Sequence, residues 1–257
     1  MTEVHSSAVV SPKAELGSDV TVGPFSIIEE DVQIGDGCKL ESSVVIASGA
    51  RLGKSVKVSH SAVISTEPQD LKFGGEKSWV EIGDNSTIRE FVTINRGTSA
   101  HGTTTLGKNC LVMAYAHVAH DCIISDNAIL ANSVNLAGHV EIGDSAILGG
   151  VLPVHQFVKI GAHSMIGGGF RVQQDICPFS LVGGYPLKVV GINSIGLKRR
   201  GFETEIVKTL EKAFKILFFS SLNTTQAAEK IKSELDSTPE IEEILSFINA
   251  SNRGIVK

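Results

Sequence analysis

Aliphatic residues recur at every sixth position through two thirds of the chain. From Val10 the series runs through Leu16, Val22, Ile28, Ile34, Leu40, Ile46, Leu52, Val58 and Ile64, resumes at Ile82, Ile88 and Ile94, and continues from Leu106 to Val172. Of the 28 positions at this spacing, 25 hold Val, Ile or Leu; Asp70, Glu76 and Ala100 are the exceptions, and both gaps close in phase. The residue two places earlier is usually small, as at Ala14, Ser26, Cys38, Ala50, Ala62, Cys110, Ala116, Cys122 and Ala128. The residue one place later is often glycine, as at Gly17, Gly35, Gly53, Gly83, Gly107, Gly143 and Gly161. Neither an amphipathic helix nor a half-buried strand has this period. A period of six with two inward side chains predicts a parallel β-helix of hexapeptide repeats, in which the aliphatic residue fills the tube and the small one leaves room near a corner. The glycines are expected to supply the backbone angles of the corner.

The breaks at residues 66–79 and 96–105 are expected to leave the prism as loops, because the period resumes in register after each. Loops held on a rigid scaffold are where binding residues concentrate. Beyond Val172 the period stops, and residues 175–186 read as a Pro- and Gly-rich exit segment. Helices follow: Ile206, Leu210, Ala213, Phe214 and Leu217 share one face, as do Ala228, Ile231 and Leu235. Thr238 and Pro239 predict the N-cap and first position of a third helix through Ile241, Ile244, Leu245 and Ile248. The chain thus divides into a mainly β unit, 1–190, and a C-terminal α-helical domain, 191–257, which is expected to pack on the last coil and cover part of its open edge.

With 28 acidic and 23 basic side chains the net charge is −5, which argues against a general nucleic-acid binder. A hydrophobic content of 42% excludes wholesale disorder, and an aromatic content of 5% requires an aliphatic core. No stretch has the pattern of a signal peptide and no apolar run has bilayer length, so a cytoplasmic protein without membrane insertion is expected. The four cysteines lie far apart with no C-x-x-C pair and are expected to be reduced; Cys38, Cys110 and Cys122 fall on the small inward position.

Three hexads form one coil in the hexapeptide-repeat transferases that the pattern resembles, so residues three hexads apart should stack. His120, Gly138 and Gln156 then share one corner, with Asp121 and His139 one place further on and His117 and His155 at the same edge. Counted in the same hexads, Thr66, where the first loop leaves, falls three coils below His120. A single surface histidine on such a prism needs no function, but four beside a carboxylate point to a site.

The runs PQDLKFGGE (68–76), IGDNSTIREFVTINRGT (82–98), AHVAHDC (116–122), LAGHVEIGD (136–144), VHQF (154–157), IGAHSMIGGG (160–169) and GLKRRGF (196–202) together resemble the UDP-N-acetylglucosamine acyltransferases of lipid A biosynthesis, over nearly the whole chain. The resemblance implies a left-handed winding and a trimer with active sites between subunits. It places the catalytic base on His120, its carboxylate partner on Asp121 and the oxyanion amide on Gly138. Contacts to sugar, phosphate or donor fall on Asp70, Lys72, His117, His139, His155, Gln156, Asn193, Arg199 and Arg200. Gly168 matches the end of the acyl groove and implies a donor of around fourteen carbons or more. The chain departs from the family at Ile195, where a Glu is expected, and carries an unusual Phe170 and Arg171.

The implied reaction moves a 3-hydroxyacyl group from acyl carrier protein to the 3-position of a UDP-amino sugar, without cofactor. A sugar hydroxyl needs a base during attack, and an imidazole titrating near neutrality is suited to it. Adjacent side chains on a strand point to opposite faces, so Asp121 reaches His120 only if a corner intervenes. Arg199 and Arg200 suit phosphate or an acidic carrier protein. Two other classes stay open at this point: a non-catalytic scaffold or sugar-binding module, and a zinc-dependent enzyme of carbonic anhydrase type using His117, His120, His139 and His155. Whether the acceptor carries a hydroxyl or an amine at its 3-position is also open.

Overall fold

The computed structural model describes the whole chain, Met1–Lys257. Short parallel strands, most of two residues, run around a three-sided prism, and each pairs with the strand one coil on: Val4 lies beside Val22, Val10 beside Ile28 and Leu16 beside Ile34. They form three sheets, of eleven, eight and eight strands. These are faces A, B and C; Ile129–Leu130 belongs to A, His117–Val118 to B and Ile123–Ile124 to C. The fold is a left-handed parallel β-helix followed by four helices.

Every aliphatic member of the series from Val22 to Val172 is buried, and the three inward cysteines are buried with them. Each such side chain contributes about 1.5–3 kcal/mol of hydrophobic stabilisation. Val10 and Leu16, in the first coil, have no coil beneath them and are only partly buried. All four cysteines are free and buried, and desolvation pushes the Cys122 thiol up to about 12.

The glycines after the aliphatic residues have a different role from the one their pattern predicts. Left-handed φ falls two residues later, on side-chain-bearing positions such as Asp19 (55°), Ser55 (56°), Asn85 (61°) and Asp121 (59°). What requires glycine at Gly35 is close approach: a Cβ there would stand 2.6 Å from the carbonyl carbon and oxygen of Gly53 in the next coil.

The two loops add whole hexads. An uninterrupted coil would pair Ile64 with Ile82 and Ile94 with Val112. Instead Ile64 pairs with Ile94, two hexads further on, and Ile94 with Val118, one hexad further on, which is why the phase survives both loops. Two coils therefore separate Thr66 from His120, not three, because part of the sequence distance lies in the loops.

Beyond the prism, the exit segment contains strand structure that its Pro and Gly content concealed. Ser180–Gly183 adds to face A in parallel beside Met165–Ile166, and Lys188–Ile192 folds back antiparallel on it. Four helices follow: α1 (Ser194–Arg199), α2 (Thr204–Phe218), α3 (Thr224–Glu234) and α4 (Pro239–Ala250). α2 buries Val207, Leu210, Ala213, Phe214 and Leu217, and packs on Lys188–Ile192. Thr238 caps α4 by accepting from the Ile241 N–H, as the sequence predicts. The last residues return to the prism, where Asp175 bridges Ile255. No helix is long and apolar enough to cross a membrane.

If close approach is what selects glycine, Gly35→Ala should cost about 1–3 kcal/mol in urea unfolding, through overpacking against backbone. Ser55→Gly, at a left-handed corner position, should stay within about 0.5 kcal/mol. Equal losses in the two variants would return the role to backbone angles.

Candidate active site

The corner between faces B and C gathers the residues that the stacking predicts. His120 lies directly over Gly138 in the next coil, so closely that a Cβ on Gly138 would stand 2.7 Å from the imidazole Cε1. Asp121, at φ 59°, turns its carboxylate back to its own neighbour, and His120 Nδ1 meets Asp121 Oδ2 at 2.8 Å. A left-handed residue thus puts two adjacent side chains on one side, which an extended strand forbids. The Asp121 side chain is fully buried.

The second loop closes over this pair. Thr98 donates its N–H to Asp121 Oδ1 (2.9 Å) and its hydroxyl to Oδ2 (2.6 Å), and the His101 N–H adds a longer bond to Oδ1 (3.3 Å). Thr104 Oγ1 accepts from the Asp121 N–H. Burial by itself would raise the Asp121 pKa, but the bonds from Thr98 and His120 outweigh it and hold the carboxyl below its ordinary value. The carboxylate therefore stays ionised beside His120.

His139 stands across from the pair, with ring centroids 5.1 Å from His120 and its Nε2 3.8 Å from Asp121 Oδ2. It stacks on Phe157, one coil on, at 4.5 Å, and His101 meets it edge-on at 5.5 Å. Burial lowers the His139 pKa, while the charges of Asp121 and Asp70 pull it back up. Asp70 in the first loop is thus brought within electrostatic reach, while Lys72 stays exposed and donates its backbone N–H to the Asp70 carboxylate. His117, on face B, bonds Thr93 Oγ1 through Nδ1 at 2.7 Å; desolvation lowers its pKa, and His120 adds to the effect. His155 and the exposed Gln156 lie two coils beyond His120.

Other predicted residues are not at this corner. Arg200 donates to the Ser145 carbonyl (2.9 Å), which is on the corner between C and A. Asn193 caps α1 by accepting from the Gly196 N–H, and its amide donates to the His163 carbonyl (2.9 Å). Arg199 is in the last turn of the same helix, and Ile195 is 66% exposed on it, a solvent position where an apolar side chain replaces the expected acid. Gly168 is on the A–B corner, where a Cβ would stand 2.7 Å from the Gly150 carbonyl oxygen. Phe170 turns its ring towards Gly167 rather than over Gly168.

The four-histidine zinc set does not converge. His120, Asp121 and His139 bring one ligand atom each within 4.8 Å of one another, but His117 and His155 are outside this group. Both Asp121 oxygens are already engaged by Thr98 and His120, so the donors satisfy one another. Sequence reasoning missed Thr98, Thr104, His101 and Phe157. Phe157 was legible, three hexads after His139; the loop residues had no periodic signal.

An imidazole with one nitrogen on a buried carboxylate and no hydrogen bond on the other is built for general-base chemistry, as expected of a hexapeptide-repeat transferase. A family described as bacterial transferase hexapeptide (six repeats) matches residues 13–48 and 103–138, and one described as UDP N-acetylglucosamine O-acyltransferase, domain 2, matches residues 175–256. The acyl-[acyl-carrier-protein]–UDP-N-acetylglucosamine O-acyltransferase of Trichlorobacter lovleyi is 51% identical with 99% of each chain covered, and that of Thermodesulfovibrio yellowstonii is 45% identical with 100% of each covered. A UDP-N-acetylglucosamine acyltransferase structure from Bacteroides fragilis superimposes with TM-score 0.97 at 44% identity, covering 98% of this chain and 99% of that one. One from Campylobacter jejuni gives 0.93 at 39%, covering 99% of each. The chain belongs to the UDP-N-acetylglucosamine O-acyltransferase family.

Thr98→Val removes the hydroxyl donor to Asp121 while keeping the side-chain shape, and should cost about 1.5–3 kcal/mol at neutral pH. The Asp121 contribution exists above the unfolded carboxyl pKa of about 3.9 and fades as pH falls through the lower folded value. Urea unfolding from pH 7 to pH 3 should therefore show the variant's deficit shrinking with acid; a deficit independent of pH would mean that Thr98 matters only through packing.

Proposed function

We propose that the chain transfers an acyl group from the thioester of acyl carrier protein to the 3-hydroxyl of UDP-N-acetylglucosamine, the first step of lipid A biosynthesis, with His120 as general base. The observation that carries the assignment is the His120–Asp121 pair seated over Gly138. With Nδ1 on Asp121, Nε2 is left to take the sugar proton as the oxygen attacks the thioester carbon. Asp121 steadies the imidazolium that forms. The Gly138 N–H has no backbone acceptor and, with no Cβ in the way, is suited to receive the tetrahedral oxyanion. The tetrahedral intermediate then expels the carrier's thiolate, which takes the proton from His120. No acyl-enzyme and no cofactor enter this scheme.

Asp70, Lys72, His117, His139, His155 and Gln156 would line the acceptor and donor path around this corner. Asn193, Arg199 and Arg200 are at a different corner of the same prism, so a site joining them to His120 takes a second copy of the chain; a homotrimer meets that need. In that arrangement the two arginines would meet the UDP phosphates or the carrier protein. Acyl carrier protein as donor places the enzyme in the cytoplasm. The scaffold reading leaves the carboxylate-held imidazole without a use, and the zinc reading lacks a converging set of histidines.

Gly168 is eight hexads beyond His120, about 13 Å along the prism at the ~4.8 Å strand spacing, and the path also crosses face B to the next corner. That length favours a 3-hydroxyacyl donor of around fourteen carbons, about ten methylenes of which span the axial rise.

His120→Ala should fold as wild type by circular dichroism and lose at least ~10²-fold in turnover with acyl carrier protein and UDP-N-acetylglucosamine. Turnover near that of wild type would remove His120 from the mechanism. Gly168→Met, assayed across donors of ten to sixteen carbons, should shift preference to shorter chains; an unchanged profile in a folded variant would reject the groove end at Gly168.

A further inference from the structure

The last seven residues do more than close the helical tail. Asp175, buried beyond the final coil, ties them down: its Oδ2 accepts from Ser251 Oγ (2.6 Å), its N–H donates to the Gly254 carbonyl (3.0 Å), and its carbonyl accepts from the Val256 N–H (2.9 Å). The other oxygen, Oδ1, accepts from the Lys159 N–H at 2.8 Å. Anchored on both sides, Arg253 enters the cleft that His101, His139 and Phe157 line. Its Nε donates to the Gln173 carbonyl (3.3 Å), and its Nη2 lies 3.1 Å from His155 Nδ1.

That last contact decides a tautomer. His155 Nδ1 also lies 3.1 Å from the Gln156 carbonyl oxygen. The carbonyl calls for a proton on Nδ1, whereas a guanidinium has only donors and calls for a lone pair there. Both cannot be met by one neutral ring. The guanidinium bond is charge-assisted and the stronger of the two, so with Arg253 in place the lone pair belongs on Nδ1 and the proton on Nε2; with Arg253 removed, the Gln156 carbonyl would draw the proton to Nδ1.

We infer that Arg253 is a positioning residue of the acyl-transfer site, which fixes His155 in the Nε2–H tautomer so that its Nε2 is a hydrogen-bond donor to substrate. The inference rests on the proposed reading of His155 as a substrate contact. The strap that delivers Arg253 is a structural feature independent of that reading, and so is the tautomer it sets.

The test uses the full-length protein with ¹⁵N-labelled histidine, His155 being assigned by its loss in His155→Gln. Long-range ¹H–¹⁵N spectra at pH 8 should give the Nε2–H pattern for His155 in the wild type and the Nδ1–H pattern in Arg253→Met. In parallel, kcat/KM for UDP-N-acetylglucosamine should fall about tenfold in Arg253→Met, and Arg253→Met should cause no further loss in a His155→Gln background. An unchanged tautomer in Arg253→Met overturns the inference. So does a tenfold loss that persists in the His155→Gln background, because Arg253 would then act without His155. If Arg253→Met fails to fold, Arg253→Lys, which keeps one donor, should retain the Nε2–H pattern; its loss in a folded lysine variant would equally reject the assignment. Absence of wild-type turnover would instead count against the proposed function, and leaves the spectra to decide the tautomer by themselves.

Discussion

Everything in this molecule depends on coils stacking at one strand spacing with a register of three hexads. Parallel strands only two residues long cannot hold a sheet together by themselves; the stack does it by repeating the same pairing on three faces. The register turns a one-dimensional hexad into columns of aliphatic side chains along the axis. It also forces backbone against backbone at the corners, which is why Gly35, Gly53 and their equivalents carry no Cβ. The cost is a left-handed residue at almost every corner, borne by Asp, Asn, Ser, His and aromatic residues, by Val151, and by glycine at Gly37, Gly49 and Gly169.

The arrangement at the proposed active site grows out of that cost. Asp121 is one of the left-handed corner residues, and the conformation that the fold demands there aims its carboxylate at His120. The same geometry at His139, one coil on, sets a second imidazole opposite. A scaffold rule and the requirement of the proposed base are met by the same dihedral angle. The second loop then supplies what the prism cannot, the Thr98 donors that keep a buried carboxylate charged.

Placing the site at one corner and the basic start of the helical tail at another has a functional consequence. Arg200 and Asn193 hold to backbone near Ser145 and His163, and so fix α1 against the C–A corner rather than beside His120. A prism has three equivalent edges, and side-by-side association of copies sets one corner against another. The proposed two-chain site is the reading that this division of residues between corners suits.

The hexad by itself determined the tube, its aliphatic filling, the small inward cysteines and the columns at His120–Gly138 and His139–Phe157, because stacking at fixed register converts sequence spacing directly into adjacency. The helical faces of α2 and α4 were legible for the same reason, at a different period. The roles given to Asp121 and Gly138 came from resemblance, and spacing could not have supplied them. What only the tertiary structure decided lies where periodicity stops. The loops conceal whole hexads, so Thr66 was one coil out; the strands at Ser180–Gly183 and Lys188–Ile192 are hidden among Pro and Gly; Thr98, His101 and Arg253 reach the corner from segments with no repeat. Contacts made by aperiodic chain depend on where the chain is anchored, and those anchors, the Asp121 carboxylate for the second loop and Asp175 for the C-terminus, exist only once the coils are stacked.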